Sequence, residues 1–138
     1  QRASAKWGER GRRGWRKLHV AGDQSGHILA VELTDASVAD ARAFPGLFEQ
    51  VPNPVERLIA DGGYDRREVY VAARQRGVRT VTPPRRDAVV SGEPVSCDRD
   101  AHLGRIGEVG RRRWRLGSIT NPERRTPSTG TNVDSVVD

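Results

Sequence analysis

One cysteine, Cys97, is the whole sulfur inventory of these 138 residues, since methionine is absent. An internal disulfide is therefore excluded, and with it the cross-linked framework of small secreted domains. Aromatic residues make up 5 % and apolar residues 35 %, below the usual share for a globular domain. No apolar run approaches the ~20 residues of a membrane-spanning helix, and no signal-peptide pattern is visible. A cytoplasmic protein is the expectation. Three further absences narrow the chemistry: no glycine-rich phosphate loop, no nucleophile elbow and no dinucleotide fingerprint occurs. A chain that starts at Gln1 without a methionine reads as an internal stretch of a longer frame.

Charge is what the chain has in plenty. Charged residues make up 30 % and the net charge is +6. Residues 1–17 carry +6, residues 18–100 carry −3 and residues 101–138 carry +3. A mildly acidic middle between two basic flanks suits a protein that grips a polyanion on both sides of an acidic centre. Solvated surface arginines explain the charge alone equally well.

The pattern along the chain predicts an α/β domain over 15–118, between a flexible basic arm (1–14) and a tail (119–138) that is polar and without fixed structure. WRKLHVA (15–21) reads as a strand with Leu18 and Val20 inward. GDQSG is turn chemistry, and HILAVELT (27–34) returns as the second arm of a hairpin, with Leu29, Val31 and Leu33 on one face. Residues 36–51 read as a helix opened by a Ser37–Asp40 capping box and kinked at Pro45, with Phe44, Leu47, Phe48 and Val51 on its apolar side. VERLIA (55–60) is apolar without alternation, as in a strand covered on both faces. Asp65 and Glu68 form a capping box for a helix that runs to about Arg76 and stops at Gly77. VRTVTPP (78–84) is another strand, and 98–115 a basic amphipathic helix with Leu103, Ile106, Val109 and Trp114 on one side. The sheet is thus mixed: a hairpin plus parallel strands, with flanking helices.

Asp61, in LIADGGYD, sits where a strand meets a loop, the edge of an α/β sheet that collects ligands. Gly62 and Gly63 clear space beside it. A plain Asp-Gly-Gly turn is the favoured reading of this stretch by itself. Its companions are scarce: Asp23 lies in a turn, Glu32 and Asp35 near a strand end, and Glu108 on a helix between Gly107 and Val109. Cys97 and His102 lack the second pair of a zinc site. His19 and His27 read as exposed strand histidines.

Three blocks in order, WRKLHVAGDQSGHILAVELTDASVADARAFPGLFEQV, LIADGGYDRREVYVAARQRGVRTVTPPRRDAV and RDAHLGRIGEVGRRRWRLGS, resemble bacterial insertion-sequence transposases of the DDE type over about residues 10–118. The resemblance implies a partial RNase H-like fold and DNA transposition by phosphoryl transfer with Mg²⁺ or Mn²⁺. It implies terminal inverted repeats as the DNA partner, and a homo-oligomer or a full-length transposase as the protein partner. It makes Asp61 the second acid of the metal-binding triad. The first Asp belongs to a strand before WRKLH, the last Glu to a helix after RRRWRL, and neither matches a residue here. Arg16, Lys17, Arg111, Arg112, Arg113 and Arg115 are the expected phosphate contacts, and Trp114 packs rather than stacks. The expected consequences are weak metal binding, an inactive chain on its own, and a sheet lacking its central strand. The alternative is a non-catalytic DNA-binding remnant or a pseudogene product.

Overall fold

A computed structural model describes residues 14–119 and 134–137. Residues 1–13 of the expected basic arm (1–14) and most of the expected tail lie outside them. The chain forms a hairpin, β1 (Arg16–Gly22) and β2 (Ile28–Asp35), then α1 (Asp40–Glu49), β3 (Arg57–Ala60), α2 (Arg67–Gln75) and β4 (Arg79–Val81). Two helices follow, α3 (Cys97–Val109) and α4 (Arg111–Ser118), and a last strand, β5 (Asp134–Val137). Short 3₁₀ turns occur at Gly62–Tyr64 and Pro94–Ser96.

The five strands make one mixed sheet in the order β2-β1-β5-β3-β4. β1 pairs antiparallel with β2 in the register Leu18 with Leu33 and Val20 with Val31. β3 pairs parallel with β4 and with β5. β5 pairs antiparallel with β1, but only through Ala21–Val137 and Gly22–Val136. The last strand of the chain therefore sits at the centre of the sheet and joins the hairpin to the parallel half. For residues 134–137 this differs from the expectation of a tail without fixed structure, and it fills the central slot that was expected to be empty. Four residues suffice because each flank of the slot already offers a row of backbone donors and acceptors, and a strand there satisfies both.

The core lies between the sheet and α1 with α2. Phe44, Leu47, Phe48 and Val51 are buried as their spacing predicts, against Leu58 and Ala60 of β3 and Val69 and Ala73 of α2. Phe44 stacks on Phe48 and meets Tyr64 edge-on. α1 passes through Pro45 without ending. Its N-cap is Ala39, with no side-chain cap, so the Ser37–Asp40 box does not form. α2 stops as expected: Gly77 takes φ +68°, and Val78 N–H reaches back to the Ala73 carbonyl at 2.9 Å.

The hairpin turns the opposite face inward from the one its apolar residues suggest. Leu18 and Leu33 are exposed, while His19, Ala21 and Ala30 are buried. Small and polar side chains suit this position because α1 lies close over the sheet: a β-carbon on Gly46 of α1 would come within 3.0 Å of Glu32 Oε2. The expected helix over 98–115 is two helices, broken at Gly110, whose φ of 81° ends α3. No residue of α3 is fully buried, and of the expected apolar side only Trp114, on α4, is. Trp114 Nε1–H donates to His102 Nδ1 (3.3 Å), and His102 Nε2 bonds the Thr80 carbonyl (2.9 Å), tying both helices to β4.

Candidate functional site

Asp61 follows the last residue of β3 and opens the 3₁₀ turn Gly62–Tyr64. Its Oδ1 accepts the Gly63 N–H at 2.6 Å, so the turn reading of this stretch describes its local structure. The carboxylate is nonetheless exposed, at the C-terminal edge of the parallel strands. Gly63 is needed here for space. A β-carbon on it would meet Asp61 Oδ1 at 2.9 Å and Asp40 Oδ2 at 3.2 Å. Those two distances put the carboxylates of Asp61 and Asp40 close together beside Gly63.

Asp40 was not singled out in the sequence except as a capping residue. It comes from the first turn of α1, and an acid there is what any helix start favours, so no local signal separates the two roles. Lys17 Nζ donates to Asp40 Oδ1 (3.1 Å) and to the Val38 carbonyl (2.9 Å). Below them His19 is buried, with Nδ1 at 3.3 Å from the Tyr64 hydroxyl and Nε2 at 2.9 Å from Thr34 Oγ1. Both ring nitrogens are thereby satisfied, and His19 is a packing residue rather than an exposed strand histidine. His27 is exposed in the turn beside Asp23, and that hydrogen bond holds the Asp23 carboxyl below its ordinary range.

The remaining acids disperse. Glu32 faces α1, with Oε2 buried and unpartnered. Asp35 lies 4.0 Å from Arg16, and Glu108 pairs with Arg105. Asp65, expected as the cap of α2, is drawn inward: it accepts from Tyr70 Oη (2.8 Å), Arg99 Nε (2.9 Å) and the Arg85 N–H (2.9 Å). The N-cap of α2 is Arg66. Burial and the neighbouring Asp65 carboxylate push the Tyr70 hydroxyl far above its usual range, so it stays a donor.

Of the expected phosphate contacts, Arg111 spends its guanidinium on the carbonyls of Pro84 and Arg85, and Lys17 is committed to Asp40. Arg112, Arg113 and Arg115 are exposed on α4, on the sides away from the buried Trp114. Arg16 is exposed at the start of β1.

A family model for the transposase DDE domain matches residues 1–132. The chain belongs to the transposase DDE domain family. The match extends beyond the 10–118 carried by the three sequence blocks, at both ends. No solved structure matches the chain. Transposases of this family act on DNA and use divalent cations. In this DDE chain the described residues bring together two carboxylates, Asp61 and Asp40, and Lys17 already neutralises one of them. Among the described residues no three His, Cys, Asp or Glu side chains converge. A pair of cations held in line for phosphoryl transfer needs more oxygen ligands than that, so these residues do not fit a two-cation centre. No helix among the described residues is long and apolar enough to cross a membrane.

Proposed function

We propose that this DDE-domain chain serves DNA transposition by gripping DNA and presenting one acid, Asp61, at the place where family members cut and join strands by metal-dependent phosphoryl transfer. The observation that carries this reading is the family match together with Asp61 standing exposed at the C-terminal end of β3. The sheet supports an RNase H-like reading. A hairpin, a central strand and two parallel strands follow one another across it, with β5 in the slot that the resemblance reserves for the family's first strand. In this proposal Asp61 is a cation ligand by descent, and the chain by itself does not cleave DNA, because no companion acids are assembled around it among the described residues. Arg112, Arg113, Arg115 and Arg16 supply phosphate contacts, with Lys17 and Arg111 in structural roles. The natural substrate is a terminal inverted repeat, and a full-length transposase is the partner that would complete the acids.

Binding of a labelled duplex, followed by anisotropy across a salt series, tests the grip. The expected result is an affinity that falls steeply with salt and is unchanged by Asp61→Ala, while Arg112→Gln with Arg115→Gln lowers it and flattens the slope. Salt-independent binding, or none, overturns the proposal.

A further inference from the structure

A cavity of about 260 Å³ opens between the start of α2, residues 85–96 and the first turn of α3, and Arg66, Arg67, Arg85 and Arg99 line it with Tyr70, Ser91 and Ser96. Its two acids are already spent. Asp65 forms the floor, fully buried, and accepts from Tyr70, Arg99 and the Arg85 N–H. Glu93 pairs with Arg67 at the mouth. Arg66 makes no ion pair among the described residues, and it offers α2 no side-chain cap, so the first-turn N–H groups point outward, with Glu68 of the same turn offsetting part of their positive field. Arg85 pairs at its exposed side with Asp87, 3.4 Å away, so of the four guanidinium groups around the cavity Arg66 is the one without a carboxylate partner among the described residues.

We propose that this cavity is a binding site for a phosphate group, carried in the natural complex by a DNA backbone. The guanidinium fork matches phosphate oxygens in pairs, which a lysine patch does not. The arrangement favours a phosphate still attached to a polymer. Arg99 and Asp65 build a rigid, largely buried floor, whereas Arg67 and Arg85 are about half exposed at the rim, with side-chain exposures of 64 % and 49 %. Arg85 also follows β4 by a few residues, and its N–H is held by Asp65 just beyond Asp61 in the chain. The cavity and Asp61 thus share the C-terminal edge of β3 and β4. A strand whose phosphate sits between Arg66 and Arg85 would pass that edge. The choice of DNA as the carrier rests on the proposed function; the phosphate chemistry of the cavity does not.

The test uses the full chain, with amide resonances followed by NMR during titration with inorganic phosphate in one arm and a short duplex in the other. The Arg67 and Glu68 amides are expected to shift in both arms. In the double variant Arg66→Gln, Arg85→Gln those shifts are expected to vanish, and the slope of log K against log salt for the duplex to fall by about 1–2. Both side chains are exposed, so the variant keeps its fold, and the amide spectrum verifies this. Arg42→Gln, an exposed change on α1, is expected to leave slope and shifts alone. Shifts with phosphate but no duplex binding keep the site and overturn the DNA reading. Duplex binding with silent Arg67 and Glu68 amides, or an equal slope change in Arg42→Gln, overturns the site while leaving the DNA reading intact.

Discussion

The two halves of the sheet are built on different terms. The hairpin has seven paired positions and a turn locked by Asp23, whose Oδ1 accepts the N–H groups of Ser25 and His27 at 2.9 Å. Its outer face shows Leu18, Val31 and Leu33 to solvent. The parallel half has strands of four and three residues, too short to stand alone, and is stable only because α1 and α2 cover it. Local backbone pairing holds the first half, and burial of apolar side chains holds the second. Both candidate sites lie in the second, where the strand ends are fixed by helices that pack on them and where Asp65 holds the Arg85 N–H.

Substitution in the core separates the halves most sharply. Leu58→Ala removes a fully buried side chain of β3 beneath the helices and is expected to cost about 3 kcal/mol in urea unfolding. Leu33→Ala, in the hairpin, removes a side chain that is 56 % exposed and is expected to cost less than about 0.5 kcal/mol. Equal costs would remove the distinction.

Asp65→Ala comes next. It leaves the Arg99 guanidinium, one-fifth exposed, and the Tyr70 hydroxyl without their shared acceptor. Breaking a buried pair from one side costs on the order of 3 kcal/mol, and solvent at Arg99 lowers this to about 2. The same unfolding measurement checks it.

Val136→Pro tests the seam. A proline in β5 removes a ladder donor between β1 and β3. Hydrogen exchange is expected to speed at Leu58–Ala60 and at Ala21–Gly22, more at the former because β5 pairs with β3 at four positions and with β1 at two. Unchanged protection on both sides would mean that β5 does not join the halves.

Much of this was legible in the chain. The apolar face of α1, the Gly77 stop and the turn between β1 and β2 depend on neighbours a few residues away, and the sequence shows them. The inward face of the hairpin was not legible. His19 is buried because Tyr64 and Thr34, 45 and 15 residues distant, satisfy its two nitrogens, and period-two alternation carries no record of such partners. β5 was missed for a related reason. Its place is defined by two flanking strands far away in sequence, while its own surroundings in the chain read as polar tail. Asp61 is a candidate through the family blocks and not through its own stretch. Asp40 was hidden by the ordinary preference of helix starts for acids.

The smallest effect expected is at the two carboxylate clasps, one in the hairpin turn and one joining α3 to the loop before it. Asp23 is held below its ordinary value of 3.8 first by its His27 hydrogen bond, and Asp100 first by the N–H of Ser91, with that of Gly92 adding to it. A depressed folded pKa means that each clasp is complete above the ordinary carboxylate range and opens as pH falls through the folded value. Amides of Ser25, His27, Ser91 and Gly92 are therefore expected to lose protection only at pH below 3.8, while the core amides hold. Loss at higher pH would mean that the carboxylates are not the anchors.

Among the described residues Asp61 stands without the companions that cutting DNA requires. Incubating the chain alone with a duplex carrying family-type ends and Mn²⁺, beside Asp61→Ala, tests it most directly. The account predicts no strand cleavage by either protein above background. Mn²⁺-dependent cleavage by the unmodified chain that disappears in Asp61→Ala would contradict it.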